Sequence, residues 1–385
     1  MVVMMSTKKM SMISDEKGLR IGLVSDVHFF HKRTRSPRML AAIRRLFPDN
    51  DETGELDIIA ITGDWTDHLV SLDDPDVYFA QEAAIYLMRL CAKRDIDLIV
   101  LEGTKSHDRN QNIMFDKLNK ILELGCNVIY RDTLCIEYLE KHGINILFLP
   151  DEWSPNAEVT LQQAKDLIHS RGLAKVDFVF MHGGFTYQLP GIPSPALHDA
   201  VAWSELVEYA VFSGHIHTHS RYLNVMSVGS LERLGHGEEE NKGVVYMTYA
   251  NGRETDYVRK FNHDARIYRT LDVQGMEIND VLQIIDSEGP WEPGSAIRLL
   301  FDPEDPKMAI MEAVKAIYGD IEFTEKVNGK KLKTMHRGTA FVQQKYVATP
   351  ITRANVSSLL EKRWSDRGTD SATIEEHLDL VRGLL

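Results

Sequence analysis

Five short segments of the chain combine aspartate and histidine in a way that suits a metal centre. The segments are Asp26-Val27-His28, Gly63-Asp64, Ser106-His107-Asp108, His182-Gly183-Gly184 and His215-Ile216-His217. Imidazole and carboxylate groups together bind borderline divalent ions such as manganese, iron and zinc. No cysteine accompanies these segments, although structural zinc sites commonly use cysteine. The residue types therefore predict a catalytic metal centre.

The spacing within the segments predicts how the side chains act together. In Asp26-Val27-His28 and in His215-Ile216-His217, alternate residues of an extended chain point to the same side. Asp64 follows a glycine at the end of an apolar run, where one carboxylate can bridge two ions. Two ions about 3.5–4 Å apart polarise a phosphoryl group and lower the pKa of a bridging water. The set therefore predicts hydrolysis of phosphoesters.

Each segment taken alone has a simpler interpretation. A lone buried histidine is commonly a hydrogen-bonded core residue, and an aspartate after a strand is commonly a helix cap. Five segments of compatible ligand type, each following an apolar run, favour the metal centre over these separate explanations.

The five segments follow apolar runs that we predict to be strands. These runs cover residues 19–25, 57–62, 97–101, 126–130, 144–149, 177–181, 209–213 and 243–249. One helix is predicted to begin at Ser36 with Pro37 in its first turn, and another covers residues 78–93. Strands that alternate with helices predict a layered α/β core with much parallel sheet. Ligands bind beyond the carboxyl ends of such strands.

After about residue 262 the pattern predicts a second, smaller α/β unit. Its strands cover residues 266–273, 296–301 and 320–327, and its helices cover residues 277–286 and 307–318. A polar joint is expected at residues 251–264. The C-terminal segment is predicted to be helical, with an apolar stripe of Ile374, Leu378, Val381 and Leu385. We divide the chain into a flexible extension (1–18), a main domain (19–262), a small domain (263–345) and a C-terminal segment (346–385).

The net charge of the chain limits the kinds of nucleic-acid binding that we expect. A net charge of −13 argues against a protein whose whole surface binds nucleic acid. Residues 32–45 are an exception, because they include six lysines or arginines and no acidic residue. This basic stretch is either a solvated helix face or a surface that contacts phosphates.

The sequence also indicates the cellular context. No apolar run reaches the roughly 18 residues that a membrane-spanning helix needs, and residues 1–18 lack a continuous apolar stretch. The three cysteines have neither disulfide nor metal-site spacing, which favours buried free thiols. We therefore expect an intracellular, cytoplasmic protein without a membrane partner.

The ordered set of segments resembles the signature of the calcineurin-like metallophosphoesterase superfamily over residues 20–249. That signature is Asp-x-His, Gly-Asp, Gly-Asn-His-Asp, His and Gly-His-x-His. The resemblance implies a four-layer α/β sandwich with two divalent ions, Mn²⁺ first and Mg²⁺, Fe²⁺ or Zn²⁺ as alternatives. It assigns one ion to Asp26, His28, Asp64 and His217, and the other to Asp64, His182 and His215.

The third segment departs from the family pattern, because Gly103 and His107 are separated by Thr104-Lys105-Ser106. The usual asparagine ligand is either replaced by Ser106 or displaced by the two extra residues. We take Ser106 as the candidate ligand, which predicts a looser second ion. The resemblance implies that His107 donates a proton to the leaving oxygen and that Asp108 orients it.

Within the superfamily, the layout resembles the SbcD-like nucleases of double-strand-break repair, including their phage relatives. Residues 228–233 follow Gly-His-x-His, an acidic stretch leads to the strand at 243–249, and the small unit that follows resembles a DNA-capping domain. The resemblance implies a homodimeric DNA exonuclease and endonuclease that acts on double-stranded ends and single-stranded regions. It implies an SbcC-like ATPase partner at the C-terminal segment, and the host cytoplasm as location if the chain is phage-encoded. The residues expected to contact DNA phosphates are Lys32, Arg33, Arg35 and Arg38.

Two other functions remain open at this point. The same metal core could serve a phosphatase or a cyclic-nucleotide phosphodiesterase. The chain could also be a non-catalytic subunit that binds DNA or a partner, for which the altered third segment is the only support.

Overall fold

The structure is a computed structural model. It describes residues 18–328, except residues 72, 152–155 and 193, together with residues 357, 358, 360, 361, 374, 375 and 378. The chain divides into two compact units, Met1–Lys330 and Lys331–Leu385. In the second unit Ile374 and Leu378 are helical and buried, in agreement with the predicted stripe. Most of the predicted N-terminal extension (1–17) and of the C-terminal segment lies outside the described residues.

Two six-stranded sheets form the larger part of the first unit. Across the first sheet the strands are β12 (Arg253–Phe261), β11 (Gly243–Ala250), β1 (Leu19–Val24), β2 (Ile58–Ile61), β3 (Asp97–Leu101) and β4 (Val128–Arg131). Across the second sheet they are β5 (Cys135–Leu139), β6 (Ile144–Leu149), β7 (Val176–His182), β8 (Val207–Gly214), β10 (Val225–Ser227) and β9 (Ser220–Tyr222). Strands β1 to β4 run parallel, as do β6 to β8.

The helices cover both outer faces of the paired sheets. Those of this part are α1 (Ser36–Leu46), α2 (Asp51–Gly54), α3 (Val77–Arg94), α4 (Met114–Ile121), α5 (Ala157–Ser170) and α6 (Ala200–Ser204). Three separate apolar clusters fill the spaces between α1 and α3 and the first sheet, between the two sheets, and between the second sheet and α5 and α6. The expected four-layer α/β sandwich is therefore confirmed.

A third, three-stranded sheet follows the sandwich. Its strands are β13 (Tyr268–Asp272), β14 (Ala296–Phe301) and β15 (Glu322–Val327), all parallel and in this order. Helices α7 (Ile278–Glu288) and α8 (Lys307–Ile317) connect the strands and bury an apolar cluster of their own. The sequence predicted these elements, whereas the domain limits at residues 263 and 345 stay a prediction.

Every strand and helix that the sequence predicted up to residue 327 is present, with bounds within two residues. The expected polar joint at residues 251–264 is wrong for most of its length. Strand β12 occupies it and pairs antiparallel with β11 across the turn at Asn251-Gly252. Charged residues on this edge strand concealed it from a search for apolar runs.

The structure also tests the predictions for the cysteines and for membrane-spanning helices. Cys91 and Cys126 are buried free thiols and Cys135 is a half-buried one. No helix among the described residues is long and apolar enough to cross a membrane.

Arg266 connects the small sheet to the sandwich. Its guanidinium donates hydrogen bonds to the carbonyl of Arg33 (2.7 Å) and the carbonyl of Gly294 (2.8 Å), and it pairs with Glu322 (2.6 Å). Arg266 is only 8% exposed, so its removal takes away a nearly buried cation together with these three hydrogen bonds.

We expect Arg266→Ala to lower the free energy of unfolding by about 3 kcal/mol, because a buried, multiply bonded charge is lost. Arg269→Ala is the control, since Arg269 pairs with Glu239 and Glu288 at the surface and should cost less than about 1 kcal/mol. Denaturant titration measures both values, and hydrogen exchange locates the effect. Equal losses in the two variants would contradict this role for Arg266.

Candidate metal centre

The candidate residues lie at the carboxyl ends of strands from both sheets. Asp26 and His28 follow β1, Asp64 follows β2, His182 ends β7 and His215 follows β8. Four of these residues have left-handed backbone conformations, with φ of 49° at Asp26, 53° at His28, 51° at Asp64 and 88° at His215. Non-glycine residues adopt such angles rarely and keep them where the surroundings fix the chain. The backbone turns sharply at each strand end and directs the side chains into one cleft.

Gly63 and Gly103 allow the loops after β2 and β3 to pack closely against neighbouring residues of the centre. A Cβ atom on Gly103 would collide with the backbone nitrogen of Asp64, and one on Gly63 would collide with the imidazole of His182. Gly63 also has φ of 90°, which disfavours any other residue. The Gly-Asp pattern in the sequence therefore reflects a steric requirement of the site.

The first group of candidate ligands consists of Asp26, His28 and His217. The Nε2 atoms of His28 and His217 are 3.1 Å apart, and Nε2 of His217 is 3.8 Å from Oδ1 of Asp26. The ligand atoms of the group all lie within 4.8 Å of one another. Such a cluster can surround a single ion.

The second group consists of Asp64, His182 and His215. Oδ2 of Asp64 lies 3.3 Å from Nε2 of His182. The same oxygen is 3.7 Å from Nε2 of His28 in the first group. Asp64 therefore lies between the two groups, where one carboxylate can contact two ions.

The donor set fits divalent cations. The carboxylates of Asp26 and Asp64 are buried, and their only ion-pair partners among the described residues are histidines. Burial lowers the pKa of His182, but the charge of Asp64 outweighs it and raises this pKa to about 10. A proton on His182 thus balances Asp64 when no ion does, and a bound ion would displace that proton.

Two hydrogen bonds set the orientation of the imidazoles. Nδ1 of His182 lies 2.7 Å from the carbonyl oxygen of Thr62, and Nδ1 of His217 lies 2.9 Å from Oε1 of Glu238. A ring that donates through Nδ1 presents the lone pair of Nε2 to a metal. In both residues Nε2 is the nitrogen that faces the cluster.

Sequence reasoning missed the role of Glu238. Burial raises the pKa of this carboxyl, but the hydrogen bond from His217 and the charges of His217 and Lys242 lower it to about 2. Nζ of Lys242 lies 3.1 Å from Oε2 of Glu238 and is itself almost fully buried. The acidic stretch after Gly-His-x-His was visible in the sequence, but its pairing with His217 depends on the folded loop.

The structure replaces Ser106 by Thr104 as the candidate ligand. The hydroxyl of Thr104 lies 3.2 Å from Oδ2 of Asp64, 3.2 Å from Nε2 of His182 and 3.3 Å from Nδ1 of His215. Ser106 is exposed and lines a different depression of the surface. Thr104 directly follows Gly103, as the family's asparagine does, so the extra residues are Lys105 and Ser106.

His107 faces the cluster, whereas Asp108 does not orient it. Nδ1 of His107 lies 2.9 Å from Oδ2 of Asp64, and this hydrogen bond raises the pKa of His107. The carboxylate of Asp108 is fully buried and instead accepts the backbone N–H groups of Asp64, Thr66 and Gly103. The prediction that Asp108 orients His107 is therefore wrong. The carboxylate of Asp108 fixes the loops after β2 and β3, and the carboxylate of Asp64 orients the imidazole of His107.

The predicted phosphate-contacting residues separate into two sets. Lys32, Arg33 and Arg35 are exposed and form no ion pair within the described part of the chain. Arg38 is half-buried, with Nε 3.9 Å from Glu232 and a hydrogen bond to the carbonyl of Asp264. The Arg38 side chain thus interacts with other residues of the protein, and the structure does not support its predicted contact with a DNA phosphate.

Comparison with known proteins identifies a family that this sequence matches. The family model described as "Calcineurin-like phosphoesterase" matches residues 19–219. Among solved structures, TT1561 of Thermus thermophilus is 11% identical with a TM-score of 0.36, and the match covers 63% of this chain and 99% of that one. A second structure is 10% identical with the same TM-score and the same coverage. No curated protein matches the sequence.

We expect Thr104→Asn to tighten the weaker of two ion sites about tenfold, because an amide oxygen is a better ligand than a hydroxyl. Calorimetric titration with Mn²⁺ measures both sites. Ser106→Asn is the matched control and should leave both affinities unchanged. Tighter binding in Ser106→Asn alone would return the ligand role to Ser106.

Glu238→Ala should weaken ion binding by about 10–100-fold, since His217 loses the acceptor that fixes its ring. Glu239→Ala is the control, because Glu239 bonds Arg269 and the backbone of Thr270 and has no contact with His217. The measurement is again a Mn²⁺ titration. An unchanged affinity in Glu238→Ala would show that His217 is oriented without this carboxylate.

Proposed function

The chain belongs to the calcineurin-like phosphoesterase family, and from this premise we propose that it is a DNA exonuclease and endonuclease. As a family member it is a metal-dependent phosphoesterase. The proposal adds that the substrate is the phosphodiester bond of DNA, that two ions take part, and that Mn²⁺ is the preferred ion.

The residues of the centre have distinct tasks in this chemistry. Bound divalent ions supply Lewis-acid polarisation of the phosphoryl group and an acidic water. Asp64 belongs to the group with His182 and His215, and its Oδ2 is also 3.7 Å from Nε2 of His28 in the group with Asp26 and His217, so it could contact both ions. His107 bonds Asp64 through Nδ1, which leaves Nε2 to carry a proton to the leaving oxygen. Its imidazole is about one-third exposed, so a substrate can reach it.

One observation supports a macromolecular substrate above all. The loop that carries Glu238, the partner of His217, also contacts the small parallel sheet. The ring of His236 packs edge-on against Tyr268 at 5.2 Å, and the backbone N–H of Thr270 donates to Glu239 at 2.9 Å. The appended unit therefore contacts the loop that carries Glu238, the partner of the candidate ligand His217. A phosphatase for small esters has no evident need for such a unit.

The exposed cations near the first strand support the same proposal. Lys32, Arg33 and Arg35 lie in the loop between β1 and α1, a few residues after the ligands Asp26 and His28. Contacts from these side chains to phosphates would position DNA without reading its sequence. Because the whole chain is acidic, we expect DNA binding to be sensitive to salt.

The partners belong to the proposal as well. We propose an SbcC-like ATPase that binds the C-terminal segment, and a homodimer of the nuclease subunit. An ATPase that provides most of the DNA-binding affinity would compensate for the acidic surface of this chain.

The test compares end-labelled linear duplex DNA with bis-p-nitrophenyl phosphate, in Mn²⁺ or Mg²⁺. We expect Mn²⁺-dependent degradation of DNA, and a loss of more than about 100-fold in His217→Ala, because a ligand is removed. His169→Ala, a change of an exposed histidine on α5, is the matched control and should retain full activity.

Three results would contradict the proposal. Turnover of the small ester with DNA intact, even with the ATPase present, would indicate a phosphatase or a cyclic-nucleotide phosphodiesterase. A chain that binds no ions would indicate a non-catalytic subunit. Equal activity in His217→Ala and wild type would exclude the described centre as the site of hydrolysis.

A further inference from the structure

The loop between β3 and α4 passes the metal centre twice. Thr104 touches His182 at 3.2 Å on one side, and His107 touches Asp64 at 2.9 Å on the other. Only Lys105 and Ser106 lie between these two contact residues. Since consecutive Cα atoms are about 3.8 Å apart, this short segment stays close to the centre.

The outer side of this loop forms an open depression of about 530 Å³. Its lining consists of Lys105, Ser106, Arg109 and Asn110. Among the described residues the lining therefore holds two cations, a hydroxyl and a carboxamide, with neither a carboxylate nor an apolar side chain. These are hydrogen-bond donors of the kind that bind phosphate oxygens, and the two cations add electrostatic attraction for a phosphate.

Arg109 is available for such a contact. Its side chain is exposed, and within the described part of the chain its guanidinium forms no ion pair. By contrast, Arg44 pairs with Glu82 and Arg45 pairs with Asp264. The cations of helix α1 are thus neutralised by acidic neighbours, whereas Arg109 retains an uncompensated charge beside the metal centre.

The loop is held rigidly under this depression. The buried carboxylate of Asp108 accepts the N–H of Gly103 at 2.7 Å and the amide of Asn112 at 2.6 Å. The carboxylate of Asp151 accepts the backbone N–H of Lys105 at 3.0 Å. A fixed backbone limits the entropic cost of ligand binding to the ordering of the Arg109 side chain.

We propose that this depression is a subsite for the phosphate group adjacent to the scissile one in a single-stranded nucleic acid. The inference rests on the proposed function and extends it to a specific contact. Arg109 is a positioning residue here: it binds a phosphate that does not react, and thereby aligns the reacting phosphate at the metal centre. The subsite makes the protein prefer a polynucleotide to an isolated phosphodiester.

The experiment measures binding of a fluorescent phosphorothioate hexanucleotide, which resists hydrolysis, by anisotropy in Mn²⁺ at several salt concentrations. Arg109→Gln should raise Kd about tenfold and reduce the salt slope by about 0.7, the value for one phosphate contact on a single strand. Arg109→Lys should recover most of the affinity, because it keeps the charge. Arg89→Gln, which removes an exposed arginine of α3, is the matched control and should bind as wild type does.

Hydrolysis assays on the same variants separate the subsite from the chemistry. The ratio of kcat/KM for the unmodified hexanucleotide to that for bis-p-nitrophenyl phosphate should fall about tenfold in Arg109→Gln, through KM. An unchanged Kd in Arg109→Gln, equal losses in Arg109→Gln and Arg109→Lys, or a wild type that binds no hexanucleotide would each overturn the subsite. Binding that depends on Arg109, with only the small ester hydrolysed, would leave the subsite standing and refute the nuclease function.

Discussion

The buried carboxylate of Asp108 is the constraint on which the metal centre depends. It accepts hydrogen bonds from the backbone of Asp64, Thr66 and Gly103, and so joins the loops that follow β2 and β3. Burial and the nearby charge of Asp64 raise the pKa of Asp108 to about 6. Two acidic groups are thus forced together, and histidines or bound cations must balance them. The position of Asp64 between two ligand groups is a direct result of this arrangement.

Much of the fold could be predicted from the sequence because its signals are local. Buried parallel strands are continuous apolar runs, and the ligands lie at the carboxyl ends of these strands or a few residues beyond them. Three features could not be predicted in this way. The residue among 104–106 that faces the cluster depends on the loop backbone, so Ser106 was chosen and Thr104 is the one in contact. The role of Asp108 depends on backbone groups that the sequence does not reveal, and the charged edge strand β12 lacks an apolar run.

The distribution of charge explains how an acidic chain can act on a polyanion. Most arginines of the basic stretch are paired within the protein: Arg38 approaches Glu232, Arg44 pairs with Glu82 and Arg45 with Asp264. These cations stabilise the contact of α1 with its surroundings. Lys32, Arg33, Arg35 and Arg109 are exposed cations in the loops after β1 and β3, and these loops also carry candidate ligands. Cations that can attract phosphates are thus present beside the centre, although the chain as a whole has a net charge of −13.

Strand β12 has a consequence for the behaviour of the protein in solution. It forms an edge of the first sheet and carries Arg253, Glu254, Asp256, Arg259 and Lys260. A strand from another molecule that paired with this edge would strip water from these charges, which opposes the pairing. The first sheet therefore does not offer a template for fibril growth along this edge.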